Sequence, residues 1–257
     1  MQAIRITINV SGAGAKNASI VYGHPTPFTF IGFAHAFCLK HQLRQSTGVL
    51  AVFHWYQDRA RHTYGPIAYN MLRSADRDSK EGGKNSGTQL DIPRADMRVS
   101  IIFGVDGDIK TIKKDDILNT VATMRFSGGV IQRASVGIEA DMASAIHKCP
   151  SGFAMLPYDF PDGCTDPLGY LIDVVAVRTK DQGSEGWITP CLRGFHLMEE
   201  PTARPGSRGG YAHAFADPLV GAVQFQSIRG LDAWQKALWE ITHDNNLILF
   251  TTAKQEE

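Results

Sequence analysis

The sequence has no excess charge of either sign. It contains 26 basic and 26 acidic residues among 257, so its formal net charge at pH 7 is zero when histidine is counted as neutral. Net charge therefore gives no indication of nucleic-acid binding, and any such function must depend on local clusters of cations.

Cysteines are few, and long apolar runs are missing. The four cysteines, Cys38, Cys149, Cys164 and Cys191, are too widely spaced for a zinc knuckle or a redox motif. No apolar run approaches the roughly 20 residues that span a bilayer. Met1 leads directly into a predicted strand, so we expect no signal peptide and a cytoplasmic protein with reduced thiols. We also expect no metal, no cofactor and no membrane partner.

The familiar catalytic motifs are absent as well. The sequence contains no P-loop, no Rossmann fingerprint and no GxSxG elbow. Acidic pairs such as Asp115-Asp116 lack the spacing of a metal site, and helix capping explains this pair. There is no internal repeat of fixed period. None of these motifs therefore indicates an enzymatic activity.

The N-terminal segment carries the clearest pattern that is present. Alternating apolar residues from Ile4 to Val10 predict a half-buried strand. A Gly-rich loop around Gly12 follows, and Pro25 and Pro27 then fit the first turn of a helix. This helix has an apolar face and a basic end that suits its dipole, formed by Phe30, Phe33, Ala34, Phe37, Lys40, His41 and Arg44. A strand and polar loop before a helix are suited to binding an extended polyanion.

The rest of the chain predicts an α+β fold. Strands are predicted at 49–55, 97–105, 130–138, 171–177, 187–198 (broken at Pro190), 222–228 and 247–252. Helices are predicted at 115–126, capped by Asp115 or Asp116, and at 232–241, capped by Asp232, while 149–169 is predicted to be irregular. We interpret residues 1–257 as a single RRM- or ferredoxin-like domain, an antiparallel sheet with helices on one face. Flexible insertions are predicted near 76–91 and 199–211.

Three stretches of the sequence resemble a known family. The most specific contains Asn17-Ala18, Gly23-His24-Pro25 and Phe30-Ile31-Gly32-Phe33-Ala34-His35-Ala36. Residues 125–131 (RFSGGVI) and parts of 187–234 also agree. Together they resemble the second subunit of the type I-F Csy surveillance complex, a CRISPR-associated family of the RAMP superfamily. The chain is shorter than usual members, and its polar stretch 76–87 has no counterpart there.

The resemblance implies a non-catalytic subunit that binds CRISPR RNA in a type I-F-like Cascade complex of antiviral defence. Such a subunit holds the guide while base pairing reads the target. It is either the cap over the 5′ handle or a repeated backbone copy. Its partners would be CRISPR RNA, other Cascade subunits or further copies of itself, and target DNA indirectly. The alternatives are a metal-independent RNA-processing endonuclease that uses His35 or His41 and an unrelated RRM-like interaction module.

Binding RNA in this way requires backbone N–H groups and cations at phosphates. The predicted RNA-binding residues are Gly14, Lys16, Asn17, Arg44, Arg59, Arg61, His62, Arg125, Gln132, Arg133, Arg204 and Arg208. Charge protection of a strand edge explains Arg59 and Arg61 nearly as well, and a helix C-terminus explains Arg125. His35 follows the buried stripe of the first helix, so we expect it to be packed rather than catalytic.

Overall fold

The structure is a computed structural model that describes residues 2–15, 23–59, 94–107, 109, 112–161, 163–176, 187–207 and 210–252. Within these ranges the chain forms ten strands: β1 Gln2–Gly14, β2 Arg44–Asp58, β3 Arg94–Asp106, β4 Arg125–Phe126, β5 Gly129–Glu139, β6 Phe153–Tyr158, β7 Trp187–Leu197, β8 Ala216–Ser227, β9 Leu238–Asp244 and β10 Leu247–Thr252. The same ranges contain four α-helices: α1 Pro27–Lys40, α2 Lys114–Thr123, α3 Met142–His147 and α4 Pro167–Ala176. None of these described helices is long and apolar enough to cross a membrane.

All ten strands belong to one antiparallel sheet in the order β4-β5-β1-β3-β2-β6-β8-β7-β10-β9. Its first part, β5-β1-β3-β2, is covered on one face by α1 and α2. The alternation predicted for β1 is confirmed, because Ile4, Ile6 and Ile8 are fully buried on this covered face. The apolar face predicted for α1 is confirmed, since Phe30 and Phe37 pack into the same core. The predicted basic end of this helix is wrong in part, because α1 ends at Lys40 and Arg44 begins β2. A large antiparallel sheet with helices agrees with the predicted α+β class.

The second part of the sheet closes into a ring. The β2 strand pairs with β6 through Val52 and Ala154, and with β9 through Val49 and Trp239. Strands β2, β6, β8, β7, β10 and β9 therefore return to their starting strand. Trp239 is fully buried, and its indole N–H donates to the carbonyl of Met155 at 2.8 Å. This bond joins β9 to β6 across the closure.

Within the described ranges, the opposite face of β5-β1-β3-β2 is covered at one end only. There α3 packs on the sheet, with Met142 and Ile146 against a cluster that includes Leu50 and Ile102. Asp141 caps α3, since its carboxylate accepts the N–H of Ser144 at 2.7 Å. Towards the other end of the strands the residues on this face become polar, and this part is named the open face below.

The predicted strand at 171–177 is wrong, because 167–176 form α4. Pro167 occupies the first turn, and the Asp166 carboxylate accepts the N–H of Gly169 at 2.9 Å. These two features start a helix. The apolar run that suggested a buried strand is partly exposed, with Ile172 at 57% and Val175 at 37%.

The predicted helix at 232–241 is also wrong. A short 3₁₀ turn, Trp234–Ala237, leads directly into β9. Leu238 and Trp239 pair with β2, and these tertiary contacts outweigh the helical spacing of the apolar residues. The predicted irregular stretch 149–169 contains β6 and the start of α4. The β7 strand continues through Pro190 without a break.

The α2 helix differs from its prediction at both ends. Its N-cap is Lys113, without a side-chain capping bond, so Asp115 and Asp116 lie in the first turn instead. The helix ends at Thr123, because Arg125 and Phe126 form β4 and pair with β5. The predictions of an aspartate cap and of a helix C-terminus at Arg125 are therefore wrong.

The two predicted insertions are described only in part. Residues 76–91 lie outside the described residues. Within 199–211, Thr202 forms an isolated bridge with His213, with N–H to carbonyl distances of 2.9 and 2.8 Å in the two directions. This bridge holds the base of the second insertion. The division of the chain into a single domain stays a prediction.

Candidate nucleic-acid interface

A hydrogen-bonded polar network marks the border of the open face. The Thr7 and Ser100 hydroxyl oxygens are 2.6 Å apart, and His54 Nε2 lies 2.7 Å from the Ser100 oxygen. His54 Nδ1 lies 2.9 Å from the carbonyl of Ser151, which can only accept, so Nδ1 donates and Nε2 accepts from Ser100. Burial lowers the pKa of His54, and the nearby guanidinium groups of Arg98 and Arg5 lower it further. Ser100 is fully buried, so this Ser–His pair cannot present a nucleophile to a substrate.

Beyond this network, one row of side chains crosses four neighbouring strands. Arg133 of β5 is opposite Asn9 of β1, Asn9 is opposite Arg98 of β3, and Arg98 is opposite Trp55 of β2. Directly paired residues share a face of the sheet. Both arginines are exposed, and Trp55 is 48% exposed. Among the described residues, neither arginine has an ion-pair partner. The open face thus combines two uncompensated cations with an accessible aromatic ring.

Beside this row, at the end of β2 and on β3, Arg59 and Asp96 form an ion pair, so Arg59 is not a free cation. Arg59 donates to Asp96 from Nε at 3.1 and 3.0 Å and from NH2 at 2.6 Å, and also to Ser11 at 2.6 Å. The Asp96 carboxylate accepts the N–H of Gly12 at 2.9 Å as well. The bond from Arg59 lowers the pKa of Asp96, and the bond from Gly12 lowers it further. The charge of Arg59 is therefore compensated within the chain.

The loop predicted around Gly12 is wrong in its position, because β1 extends to Gly14 and both Gly12 and Gly14 use their N–H groups within the chain. Gly14 donates its N–H to the carbonyl of Ser127 at 2.7 Å and accepts from the Ser127 hydroxyl at 2.8 Å. Gly12 has a φ of +66° and accepts from Arg94 at 2.9 Å through its carbonyl. A phosphate cradle at Gly14 would have to break its bond to Ser127. Contact between this loop and RNA stays a prediction.

The other predicted RNA-binding residues are dispersed. Gln132 lies beside Arg133 at a bulge in β5 and is exposed. Arg125 is exposed on β4, whereas Arg44 begins β2 at the end away from Arg59. Arg204 lies over the Phe215 ring, 4.8 Å from its centroid, and forms an ion pair with Glu199. Lys16, Asn17, Arg61, His62 and Arg208 lie outside the described residues.

The sequence analysis missed three residues of the open face. Asn9, Trp55 and Arg98 occupy polar or exposed positions of three segments that were predicted to be strands. The alternation recognised in β1 assigns only Asn9 to the second face of the sheet. Only the strand order, which places β5, β1, β3 and β2 side by side, brings them into one row.

The histidines in the described part of the chain do not form an acid–base arrangement. His35 is exposed, so its predicted packing is wrong: the buried stripe of α1 passes beside it. His41 lies against Phe37, with ring centroids 4.7 Å apart, and its Nε2 is buried without a hydrogen-bond partner among the described residues. Burial lowers the pKa of His41. In the same described part of the chain, no group of three or more His, Cys, Asp or Glu side chains could hold a metal ion.

These features define the class of the protein. It is an α+β protein built on one large antiparallel sheet, with a cationic and aromatic surface on part of one face. Residues 4–155, more than half of the chain, match the family model described as CRISPR-associated protein (Cas_Csy2). The chain therefore belongs to the Csy2 family of CRISPR-associated proteins. Members of this family are the type I-F Csy2 subunits of the surveillance complex. No curated protein matches it significantly.

Proposed function

We propose that this protein is a non-catalytic subunit that holds CRISPR RNA on the open face of the β5-β1-β3-β2 sheet. The row Arg133–Asn9–Arg98–Trp55 is the observation that carries the proposal. Its two arginines supply charge to the RNA backbone, and Trp55 supplies a surface on which a base can stack. The chain belongs to a family of CRISPR-associated proteins, and this membership supports guide RNA as the ligand.

The arrangement of elements supports an RRM-like interpretation. The chain runs β1-α1-β2-β3-α2-β5 apart from the short β4, and the strands lie in the order β5-β1-β3-β2. This is the split β-α-β-β-α-β arrangement of ferredoxin-like domains. RRM domains bind single-stranded RNA on a four-stranded sheet of this kind, mainly through exposed aromatic side chains. The exposure of the Trp55 ring on β2 supports that role for it.

The same geometry favours binding over cleavage. Ser100, which bonds to His54, is buried, as is the Nε2 atom of His41. A general base must reach the proton that it removes. The RNA-bound subunit would act either as the 5′-handle cap or as a repeated backbone copy. The copy number in the purified complex, measured by native mass spectrometry, distinguishes these roles: one copy for the cap, several for the backbone.

The proposal is tested by RNA affinity as a function of salt. The double substitution Arg98→Gln and Arg133→Gln should weaken binding of CRISPR repeat RNA. Loss of two phosphate contacts should also reduce the slope of log K against log salt by about 1.4. Trp55→Leu should cost about 1–3 kcal/mol of binding free energy with little change in this slope, because stacking releases no counterions. Fluorescence anisotropy from low to physiological salt measures both quantities.

The matched control is Lys114→Gln, which removes one positive charge from α2 on the other face of the sheet. Its affinity and salt slope should remain those of the unmodified protein. Equal losses in the control and the double variant would place the RNA elsewhere. Cleavage of the repeat RNA that disappears in His35→Ala or His41→Ala would instead identify the endonuclease alternative.

A further inference from the structure

A second surface feature lies on the other face of the sheet, between α1 and the start of β4. An open groove of about 420 Å³ is formed there mainly by Phe28, Gly32, Ala36, Lys40, Met124 and Arg125. It is named the α1 groove below. It is separate from the open face, because α1 covers the opposite side of β1 and β3.

The α1 groove continues an apolar stripe along the outside of the helix. Positions 28, 32, 36 and 39 follow one another at spacings of three or four residues, which puts them on one side of α1. Phe28 is 45% exposed and Leu39 is 62% exposed. The Phe28 ring is held in place by stacking on Phe250, with centroids 5.2 Å apart. The stripe is therefore both accessible and preorganised.

Gly32 has no function within the described chain that requires glycine. A Cβ atom at this position would meet nothing within 4 Å, and the backbone is helical without a positive φ. Glycine in a helix interior costs about 1 kcal/mol relative to alanine. The chain bears this cost at the floor of an open groove. A glycine there lets another backbone approach α1 closely, because the distance between packed helices depends on the side chains at their contact.

The charges that line the α1 groove restrict the kind of ligand that can bind in it. Among the described residues, the two charged side chains that line the groove, Lys40 and Arg125, are both basic. The remaining walls are mostly apolar. A phosphate backbone would leave these apolar walls without a partner. An amphipathic helix with apolar residues on one side and a carboxylate near the basic residues would match both parts of the groove.

We propose that the α1 groove binds an amphipathic, acidic helix of a different protein subunit, not a second copy of this chain, in the CRISPR complex. The apolar residues of that helix pack against Phe28, Gly32 and Leu39, and its backbone lies closest to α1 at Gly32. An acidic side chain pairs with Lys40 and Arg125. The surface joins subunits, whereas the open face holds RNA, so the two functions occupy opposite faces of one sheet.

The test uses the full-length chain assembled with guide RNA and the other subunits of its own complex. Gly32→Leu adds a side chain at a position where a Cβ atom meets nothing within 4 Å, and it should lower incorporation by at least about tenfold, as for a central interface position. Gly230→Leu is the matched control, because a Cβ atom there also meets nothing within 4 Å. Lys40→Glu should reduce incorporation through charge alone. Native mass spectrometry measures the incorporated fraction, and thermal unfolding verifies that each variant is folded.

A second measurement identifies the occupant. A photo-crosslinking amino acid at Leu39 should attach to a peptide of another subunit in the assembled complex. The isolated Gly32→Leu protein should bind RNA with unchanged affinity. Crosslinking to RNA, or loss of RNA affinity in Gly32→Leu, would overturn the proposal in favour of a nucleic-acid groove. Crosslinking to a second copy of this chain, or normal incorporation of both Gly32→Leu and Lys40→Glu, would also overturn it.

Discussion

His24 is a buried neutral histidine that joins the start of α1 to β7. It is 7% exposed, and its ring lies edge-on to Phe225 with centroids 4.9 Å apart. Its Nδ1 lies 3.0 Å from the carbonyl of Pro25 and therefore donates, while Nε2 lies 2.6 Å from the Thr189 hydroxyl and accepts. Desolvation lowers the pKa of His24 from 6.5 to about 4, although the bond to Pro25 opposes this shift.

The low pKa of His24 makes the stability of the protein depend on pH. Because the folded state binds this proton less well than the unfolded state, the stabilisation is complete above about pH 6.5 and is lost as the pH falls towards about 4. The expected loss is about 3 kcal/mol. Urea unfolding between pH 7 and pH 4.5 should show this decline, and His24→Phe should remove much of it.

The exposed His35 provides the control for this pH effect. His35→Gln should retain the full decline in the free energy of unfolding. A smaller decline will remain in His24→Phe, because burial also lowers the pKa values of His41 and His54. An unchanged pH dependence in His24→Phe would show that the imidazole of His24 titrates normally in the folded protein.

At the scale of single residues, the sequence identifies candidate RNA-binding side chains but does not show which residues they contact in the fold. Arg59 and Arg133 were both predicted to bind RNA. Only the fold shows that Arg59 is paired with Asp96, 37 positions away, whereas Arg133 has no ion pair among the described residues. Periodicity reports on which face a side chain lies, but it does not report which distant strand is its neighbour.

Among the secondary-structure elements, the hairpin between β4 and β5 depends on small residues. Its two turn residues, Ser127 and Gly128, have φ values of +48° and +75°, as the type I′ turn of a two-residue hairpin requires. Gly129 then begins β5 against the bulge of β1. A Cβ atom on Gly129 would lie 2.7 Å from the backbone nitrogen of Ala13 and 2.7 Å from a methyl carbon of Val10.

Gly129→Ala should therefore destabilise the protein. Because the nearest atoms include backbone of β1, relief requires the strands to separate, and we expect a loss of about 1–3 kcal/mol in the free energy of unfolding. Gly230→Ala, where a Cβ atom meets nothing within 4 Å, should change it little. Chemical denaturation of both variants provides the comparison. Equal stability would mean that the hairpin shifts without cost.

Secondary-structure elements were predicted correctly where the apolar periodicity in the sequence was long and clear. The alternation in β1 and the apolar face of α1 extend over many residues, and both elements were predicted correctly. The short apolar run at 171–177 fits a strand or a helix equally well, and the cap at Asp166 decides for a helix. At 238–241 the pairing with β2 decides for a strand, and no local pattern contains that information.

Considered as a whole, the molecule depends on Trp239 to close its ring of strands. The indole is fully buried, donates to Met155 and lies under the guanidinium of Arg193, whose carbon is 5.3 Å from the ring centroid. Trp239→Phe removes the hydrogen bond and leaves a cavity, so we expect a loss of about 2–4 kcal/mol in the free energy of unfolding. Thermal and urea unfolding both measure this loss.

Trp187→Phe is the control for that substitution, because Trp187 is 59% exposed at the start of β7. It should cost less than about 1 kcal/mol. If both tryptophan substitutions had equal effects, the ring closure would contribute nothing special to stability.

The closure of the ring also constrains how the chain can be made. Synthesis proceeds from the N-terminus, so the edge of β2 at Val49 stays unpaired until its partner Trp239 has left the ribosome. Contacts so distant in sequence form slowly, and an unpaired strand edge attracts other chains in the meantime. When synthesis has reached residue 155, the four ring strands β7, β8, β9 and β10 have not yet been made. A nascent chain at that stage already contains every residue of the Arg133–Trp55 row, yet it lacks the strands that protect the edge of β2.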